Sequence, residues 1–257
     1  MIEVSLPQFK NALECVLLRG KYKSSTVSKI SIINECAVAM LNVEDQKLTI
    51  SNASDTIAAQ YTIQCICNNH DANSLFFFDL QKTLKYLNNF KDNEEIRIIT
   101  GDGKLILEND YNKASIPLDL EHRNIGFISK LQSMEINHDD MPTFNLTKLE
   151  AQLICNGKDL KEAIKKCSTV GTATYKIDWN TDNEYFVVSS TNFHKTETYS
   201  TKVDLISGVG ESTTVEFSAP IDKFCSDTMW LYLKDDCPIL LVGLDRRLVM
   251  APYIRVI

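Results

Sequence analysis

The residues most able to do chemistry in this sequence are eight cysteines, two of which are closely spaced. Cys65 and Cys67 lie two apart in the strand-like run 61–67, so both thiols fall on one face. A structural zinc site would need a second pair of ligands at comparable spacing. The other six are scattered along the chain: Cys15, Cys36, Cys155, Cys167, Cys225 and Cys237. We therefore interpret the cysteines as buried structural thiols and predict no metal site.

Other residue types used in catalysis also lack a usable arrangement. Asp139–Asp140 and Asp235–Asp236 are adjacent pairs, and adjacent side chains on an extended segment point to opposite sides. The runs 101–103 and 208–210 contain too few glycines for a phosphate-binding loop. The histidines are far apart in sequence, which favours solvated surface positions for all four: His70, His122, His138 and His194. The sequence predicts a protein without enzymatic activity and without a cofactor.

Composition limits the class of protein further. The 257 residues are 44% hydrophobic and 24% charged, which excludes collagen-like and wholly disordered chains. The formal net charge of −7 argues against a surface that is basic all over. Residues 1–7 lack a basic, apolar signal sequence, and no apolar run approaches the roughly 20 residues of a membrane helix. We expect an intracellular protein with no membrane partner.

The positive charges are concentrated on the predicted helices. The windows 6–23, 79–91, 158–168 and 221–227 together carry +6 over 49 residues, which leaves −13 on the other 208. Within the third window, Lys158, Lys161 and Lys165 recur at helical spacing, opposite an apolar face. For a single helix, an ordinary solvated face is the better explanation of such lysines. The charge partition over the whole chain favours basic helices and acidic strands and loops.

Hydrophobic periodicity predicts an α+β chain. The predicted helices are 6–20, 79–89, 158–168 and 220–227. The predicted strands are 27–33, 37–42, 47–50, 57–67, 96–100, 104–108, 114–118, 143–146, 174–179, 185–190, 196–203, 215–218, 229–233, 239–244 and 247–251. Between 119 and 141 the periodicity fails. We therefore predict an N-terminal domain 1–120, a connector 121–142 and a C-terminal domain 143–257, with the same order of elements in both domains.

The repeated order of elements, the connector near mid-chain and three short runs resemble DNA sliding clamps of the proliferating-cell-nuclear-antigen type. The runs are Leu-Thr-Ile-Ser-Asn-Ala-Ser-Asp at 48–55, Pro-Ile-Leu-Leu-Val at 238–242 and Leu-Val-Met-Ala-Pro-Tyr-Ile at 248–254. The resemblance covers essentially the whole chain in layout, and its sharpest part is the last run. It departs from the family in its low glycine content and in the absence of an acidic tail after residue 254.

The resemblance implies the clamp fold, with two similar domains of antiparallel sheet and two helices each. It implies a closed ring, here a homotrimer, with the helices around a central hole that holds double-stranded DNA. Such a processivity factor tethers DNA polymerase and other clamp-binding-peptide proteins at replicating DNA, and a clamp loader places it there. Edge strands would close the ring, and we expect them at 104–108 and 174–179.

The resemblance also assigns residues to the two surfaces of a clamp. The expected DNA-facing residues are Lys10, Arg19, Lys21, Lys82, Lys85, Lys158, Lys161, Lys165, Lys166 and Lys223. The expected partner-peptide groove consists of Met40, Ile125, Phe127, Ile128, Pro238, Met250, Ala251, Pro252 and Tyr253. Exposed apolar residues in a polar connector favour a docking groove. The alternative for Phe127 and Ile128 is that they pin the connector to the sheet, and both roles are compatible.

Two other functions remain open at the level of sequence. The chain fits a subunit of a heteromeric, checkpoint-type clamp, which would form a ring with different subunits only. It also fits a β-rich interaction scaffold that does not bind DNA.

Overall fold

The computed structural model describes residues 1–24, 27–32, 36–68, 73–91, 95–144, 146–192 and 194–253, of which 19–24, 27–32, 172 and 173 are described as strands alone. The chain divides into two compact units. Within the described residues, the first comprises Met1–Leu18 and Ile32–Ser129, and the second comprises Arg19–Ser31 and Lys130–Ile257. The domain limits 1–120 and 143–257 stay a prediction. None of the helices in the described ranges is long and apolar enough to cross a membrane.

The elements follow one another along the chain as short strands interrupted by a few helices. The helices are α1 (Leu6–Val16), α2 (Leu80–Leu87), α3 (Ile125–Gln132) and α4 (Gly157–Cys167). The strands up to residue 119 are β1 (Ile2–Ser5), β2 (Arg19–Ser24), β3 (Val27–Ile32), β4 (Cys36–Asn42), β5 (Lys47–Ala53), β6 (Ile57–Gln64), β7 (Ile66–Cys67), β8 (Ser74–Asp79), β9 (Glu95–Gly101), β10 (Lys104–Glu108) and β11 (Lys113–Asp119). The later strands are β12 (Thr143–Phe144), β13 (Thr147–Lys148), β14 (Ala151–Asn156), β15 (Thr172–Trp179), β16 (Tyr185–Asn192), β17 (Thr198–Gly210), β18 (Thr213–Phe217), β19 (Thr228–Leu233), β20 (Ile239–Val242) and β21 (Arg246–Met250).

Each unit is built on an antiparallel sheet. In the first unit the strand order is β7-β1-β9-β10-β11-β8-β4-β5-β6. In the second unit it is β18-β15-β16-β17-β14-β19-β20-β21. β2 and β3 form a separate hairpin, as do β12 and β13. Residues alternate between buried and more exposed along β9, β16 and β18, which is the period of two that a sheet with one face on a core requires.

A strand, a helix and three strands form a repeating unit of the fold. The order occurs as β1-α1-β4-β5-β6, as β8-α2-β9-β10-β11 and as β14-α4-β15-β16-β17. A fourth occurrence, β18-β19-β20-β21, has a turn where the helix would be. The hairpin β2–β3 and the short β7 are additions to the first occurrence. This arrangement confirms the predicted α+β class and its repeated order.

The first helix is shorter than predicted and ends at Val16 instead of residue 20. Leu17 has an extended backbone, and both Leu17 and Leu18 are buried. A continued helix would place Leu18 two turns after Asn11, on the exposed face of α1. Leaving the helix at Leu17 buries both leucines, and this gain outweighs the helical propensity of the segment.

The predicted helix at 220–227 is a turn. Two long-range hydrogen bonds to backbone carbonyls hold this turn in place. The buried guanidinium of Arg246 donates to the Phe224 carbonyl at 3.2 Å, and the Gly157 amide donates to the Asp227 carbonyl at 2.5 Å. Ile221 and Phe224 point into the core of the second unit. The position of the segment is therefore set by its buried apolar residues and by these two distant partners, and not by its local helical pattern.

The connector predicted at 121–142 contains the helix α3 instead of an irregular segment. Ile128 and Leu131 are buried at a spacing of three residues, while Ile125 stays 37% exposed. The Ile128 amide donates to the Asn124 carbonyl at 3.2 Å and closes the first turn. The isolated apolar residues of this segment are thus one stripe of a helix too short to show a clear period in the sequence.

Gly157 stands where α4 comes closest to the 220–227 turn. A Cβ atom at this position would lie 2.6 Å from both the carbonyl carbon and the carbonyl oxygen of Ser226. Both are backbone atoms, so they cannot move aside as a flexible side chain would. The absence of a side chain at Gly157 therefore sets how the start of α4 is placed.

We expect Gly157→Ala to lower the free energy of unfolding by about 1–3 kcal/mol, because the new methyl group must displace backbone. Urea denaturation measures this change. Gly126→Ala is the matched control, because a Cβ there meets nothing within 4 Å and alanine favours the helix α3. We expect it to raise the free energy of unfolding by roughly 0.5–1 kcal/mol. Destabilisation of similar size in both variants would contradict this account.

Candidate nucleic-acid interface

Helix α4 has an apolar face on the sheet of the second unit and a basic face that is exposed. Its buried residues are Gly157, Leu160, Ala163, Ile164 and Cys167. Lys158, Lys165 and Lys166 are exposed, and Lys161 is partly buried. Lys158, Lys161 and Lys165 lie on successive turns, so their ammonium groups form a row along the helix. The predicted basic face is present in the fold.

Hydrogen bonds at both ends hold α4 in place. The Asn156 side chain caps the helix by accepting from the Lys158 amide at 2.9 Å. At the other end the Ser190 hydroxyl donates to the Cys167 carbonyl at 2.6 Å, and the Cys167 thiol donates to the Val188 carbonyl at 3.6 Å. Ser190 and Val188 belong to β16. These hydrogen bonds fix α4 on β16, so the lysine row keeps its orientation relative to the sheet.

The acidic residues of α4 neutralise only part of this face. Glu162 accepts from Lys165 at 3.1 Å, and both side chains are about half exposed, so the pair is weak in water. In the described part of the chain no ion pair engages Lys158, Lys161 or Lys166. These ammonium groups remain available to an anionic partner such as a phosphate backbone.

In the first unit the basic residues lie on α2 more than on α1. The two helices pack against each other. Lys82 and Lys85 are exposed on α2, and Asp79 both caps this helix through the Lys82 amide at 2.8 Å and pairs with the Lys82 ammonium at 3.1 Å. Lys10 is partly buried on α1, and Glu14 follows it one turn later.

Three of the predicted DNA-facing residues are not on helices. Arg19 and Lys21 lie in β2, beyond the end of α1, and their side chains lie outside the described residues. Lys223 is exposed in the 220–227 turn. Because α1 ends at Val16, it carries one lysine and one glutamate and has no net charge. The predicted excess of positive charge on helices is therefore found on α2 and α4, each of which has a net charge of +2.

The predicted groove residues fall in both units and differ in exposure. Met40, Ile125, Phe127 and Ile128 belong to the first unit, and Pro238 and 250–253 to the second. Ile128 and Met250 are almost fully buried, so they support the surface instead of lining it. The pinning role considered for Ile128 accounts for its burial. Ile125 and Tyr253 are more than a third exposed, and the others are partly exposed.

The last described residues are held along the edge of β18. The Tyr253 amide donates to the Glu216 carbonyl at 2.8 Å, while Met250 pairs with Ile239 on β20. Tyr253 keeps 43% of its surface exposed. The chain end thus presents an aromatic ring beside a short sheet edge.

A buried histidine anchors the start of the connector. His122 is 2% exposed, so its predicted surface position is wrong. Its Nδ1 accepts a hydrogen bond from the backbone amide of Asn124 at 3.0 Å. The ring proton therefore lies on Nε2, which donates to the side-chain Oδ1 of Asn52 at 3.2 Å. Asn52 also donates to the Val16 carbonyl at 3.1 Å. The ring is satisfied as neutral imidazole, and it ties the connector to β5 and to the end of α1.

The end of the connector is held by a second histidine in the second unit. His138 Nδ1 lies 2.8 Å from the Tyr232 hydroxyl, and its ring packs against the Trp230 ring at a tilt of 30°, with the ring centroids 4.4 Å apart. Gln152 donates both to the His138 carbonyl and to the Tyr232 hydroxyl. Arg247 donates to the Met134 carbonyl at 2.7 Å. Sequence reasoning missed this cluster, although the alternation of Trp230 and Tyr232 in β19 placed both rings on one face.

The other two histidines are His194 and His70. His194 is exposed, as predicted. His70 lies outside the described residues.

The burial of His122 makes stability depend on pH. Burial lowers the pKa of His122 below its ordinary value. A histidine whose pKa is lower in the folded state than in the unfolded chain stabilises the fold above the unfolded value of about 6.5. This contribution is lost as the pH falls from there through the folded pKa. Protonation would also place a proton on Nδ1 against the Asn124 amide.

We expect the urea midpoint of the wild-type chain to fall more steeply between about pH 7 and pH 5 than that of His122→Gln, which cannot charge. His194→Gln serves as the comparison, because His194 is exposed. The difference between wild type and His122→Gln isolates the histidine from the carboxylates that titrate in the same range. Parallel curves for the two proteins would show that His122 is not held neutral.

The cysteines are mostly buried, as predicted. The five buried thiols are Cys15, Cys65, Cys155, Cys167 and Cys225. Cys36, Cys67 and Cys237 are partly exposed. Burial raises the pKa of Cys225 well above its ordinary value. Among the described residues, no three His, Cys, Asp or Glu side chains come together as ligands of a metal ion would.

Comparison with known proteins gives a match in structure but not in sequence. No protein-family model matches the chain, and no curated protein does. Solved clamp structures match it over nearly its whole length. PCNA of A. fulgidus, solved with the C-terminal region of FEN-1 bound, has a TM-score of 0.71 at 13% identity, and 99% of both chains is covered. The DNA polymerase sliding clamp of Bacillus subtilis has a TM-score of 0.72 at 11% identity. The Helicobacter pylori beta clamp, bound to a DNA ligase peptide, has a TM-score of 0.63 at 15% identity.

The chain therefore has the fold of DNA sliding clamps. It covers 64% of the Bacillus subtilis chain and 66% of the Helicobacter pylori chain, so it spans about two thirds of these bacterial proteins. It spans the full length of the A. fulgidus chain. At these identities the likeness defines the fold, and the function must be argued from the surfaces that the fold presents.

Proposed function

We propose that the chain is a DNA sliding clamp: a processivity factor that encircles double-stranded DNA and tethers polymerase and other replication or repair proteins to it. The observation that carries the proposal is the exposed lysine row of α4 in a clamp fold whose chain is otherwise acidic. In this role the protein is a scaffold at replicating DNA inside the cell and has no catalytic activity. A clamp loader would place it on DNA.

The charge distribution suits sliding better than tight binding. Duplex DNA carries one negative charge per roughly 1.7 Å of its axis, so lysines attract it without reading its bases. Apart from the partly buried Lys161, the lysines on α4 and α2 are exposed, and each ammonium group lies at the end of a flexible side chain in solvent. Phosphates can therefore exchange between lysines at low cost. Enclosure by the ring would keep the protein on DNA while these contacts break and re-form.

The proposed groove supplies the tether. Peptide segments of partners would dock on the exposed apolar residues of the connector and the chain end, among them Ile125, Phe127 and Tyr253. A polymerase held to the ring in this way has a high effective concentration at the primer end. The anchoring of the connector at both ends, by His122 and at His138, keeps its exposed residues in place for docking.

The strands expected to close the ring are not available for that purpose. β10 is paired on both sides, with β9 and β11, and β15 is paired on both sides, with β16 and β18. The expectation for 104–108 and 174–179 is therefore wrong. An interior strand has no backbone hydrogen-bonding groups left for a neighbouring molecule.

Two other strands have a half-open edge within the described chain. β11 pairs with β10 through 113–117, and its pairing with β8 involves Leu118 and Asp119 alone. β17 pairs with β16 through 198–204, and its pairing with β14 begins at Leu205. We place the subunit contact between the open half of β11 in one copy and the open half of β17 in the next. Because these are different surfaces, the contact is head-to-tail, and such a contact forms a ring when the rotation between copies closes. We propose that it closes as a homotrimer.

We expect the charge reversal Lys158→Glu, Lys161→Glu, Lys165→Glu to weaken binding to duplex DNA and to flatten its salt dependence. Each phosphate that a lysine no longer neutralises removes about 0.9 from the slope of log K against log salt, so the slope should fall by roughly three. Fluorescence anisotropy over a salt series measures it.

The matched control is Lys104→Glu, Lys148→Glu, Lys195→Glu, which changes the net charge equally at exposed positions outside the helices. We expect this control to keep most of the wild-type slope. Equal weakening in both variants would mean that DNA responds to net charge alone, and unchanged binding in both would favour the β-rich scaffold that does not bind DNA.

We expect Tyr199→Asp combined with Thr201→Asp to weaken self-association roughly tenfold or more, because both changes charge the open half of β17. Light scattering over a dilution series measures the concentration at which the assembly dissociates. The control is Tyr111→Asp combined with Leu146→Asp, at positions that are 80% and 100% exposed and outside both open edges. An assembly that dissociates at the same concentration in all three proteins would exclude β17 as the contact, and a chain that self-associates in none of them would favour the heteromeric clamp.

A further inference from the structure

Two cysteines of the first unit lie in contact at a sheet edge. The Sγ atoms of Cys65 and Cys67 are 3.7 Å apart, on either side of Ile66, at the junction of β6 and β7. Cys65 is 6% exposed, and Cys67 is partly exposed. The two residues therefore combine a buried thiol with one that a small reagent can reach.

The backbone holds both residues, so the contact between the sulfurs does not depend on a loose loop. The Cys65 amide donates to the Gln46 carbonyl at 2.9 Å, and Cys67 pairs with Ile2 on β1. Ile66 between them is 51% exposed, so the alternation of β6 continues into β7 and both thiols face the same side. A disulfide bond is about 2.05 Å long, so the sulfurs must approach by about 1.7 Å, which rotation of the side chains can supply.

We propose that Cys65 and Cys67 form a dithiol site that closes reversibly to an intramolecular disulfide by exchange with a low-molecular-weight disulfide. In the first step the Cys67 thiolate attacks one sulfur of the small disulfide and releases one small thiolate. In the second step the Cys65 thiol loses its proton as its sulfur attacks Cys67 Sγ, which forms the Cys65–Cys67 bond and releases the second small thiolate. The two cysteine protons end on the two small thiols, so the protein loses two hydrogens and the small disulfide is reduced.

The surroundings assign the attacking and the resolving thiol. The pKa of the Cys65 thiol is raised to about 12, mainly by burial and in part by the neighbouring Cys67 thiol. Cys65 therefore stays protonated and is not the thiol that a small disulfide meets first. Once Cys67 has entered a mixed disulfide, its own contribution to the raised pKa of Cys65 disappears. The resolving sulfur is already in contact, so the second step is intramolecular.

The other two partly exposed cysteines, Cys36 and Cys237, serve as internal comparisons for this pair. The Cys36 thiol lies 3.7 Å from the Glu121 carbonyl oxygen, and burial followed by the charge of Asp119 raises its pKa to about 12. Burial also raises the pKa of Cys237. Cys237 has no sulfur contact like that of Cys65 and Cys67 among the described residues. Where Cys237 reacts with a small disulfide, we expect a mixed disulfide that persists.

A bond across one intervening residue closes a small ring, and strained or exposed disulfides are the readily reduced ones. The proposed bond is therefore expected to open again in mild thiol. The site lies on the first unit and uses none of the residues proposed to contact DNA or partner peptides, so it does not rest on the proposed function.

The test is incubation of the reduced chain with oxidised glutathione, acid quenching, and mass spectrometry of the intact protein and of its peptides. We expect the peptide that contains both residues to lose the mass of two hydrogens and to carry no glutathione, and dithiothreitol to restore it. In Cys65→Ser we expect a glutathione adduct that persists on Cys67. In Cys67→Ser we expect a loss of at least tenfold in the rate of modification at this site.

A persistent glutathione adduct on Cys67 in the wild-type chain would overturn the proposal, because it would show that Cys65 does not resolve it. An unmodified 65–67 segment in a chain whose Cys36 and Cys237 react would overturn it as well. The wild-type result stands without the variants, and far-ultraviolet circular dichroism before and after oxidation shows whether the fold is kept.

Discussion

Electrostatic repulsion between an acidic chain and the phosphates of DNA is the constraint on which the rest of this structure depends. A net charge of −7 keeps most of the surface away from DNA, so contact is possible where exposed lysines outnumber carboxylates. Among the helices of the described residues, α4 and α2 have the largest excess of lysines, and their positions follow from the sheets beneath them. The cap at Asn156, the close approach at Gly157 and the bond from Ser190 to the last turn fix the α4 lysine row on the second unit. Because the row is fixed in this way, its lysines would contact successive phosphates at unchanged positions as DNA moves past.

The strand-helix-three-strand order separates the basic helices from the acidic parts of the chain. Each helix covers one part of a sheet, and most of the carboxylates lie outside the helices and strands, in turns and loops such as 44–45, 139–140 and 235–236. In the fourth occurrence Arg246 and Gly157 hold a turn where a helix would lie, so the second unit presents α4 as its basic helix. The connector is fixed at its start by His122 and at its end by the cluster around His138. A neutral His122 makes the first of these attachments sensitive to acid.

The sequence predicted the elements whose signals are local and missed those decided by distant residues. The period of two along the strands and the lysines opposite apolar residues on α4 are visible within a few residues, so the α+β class and the basic face were predictable. The end of α1 was not, because the burial of Leu18 in the folded core decides it. The turn at 220–227 depends on Arg246, about twenty residues later. His122 became a buried anchor through Asn52, which no spacing rule connects to it. The edge strands were predicted wrongly, because pairing on both sides of a strand is a property of the whole sheet.

Enclosure of DNA is the central claim, and retention on circular DNA tests it most directly. The chain would be diluted until its assembly dissociates, then concentrated in the presence of a closed circular plasmid so that rings form around it. The complex would then be challenged with salt high enough to screen phosphate contacts. The account predicts that the protein stays on the circle through gel filtration and is released when a restriction enzyme cuts the plasmid once. Equal retention, or equal release, on circular and linear DNA at every salt concentration would contradict it.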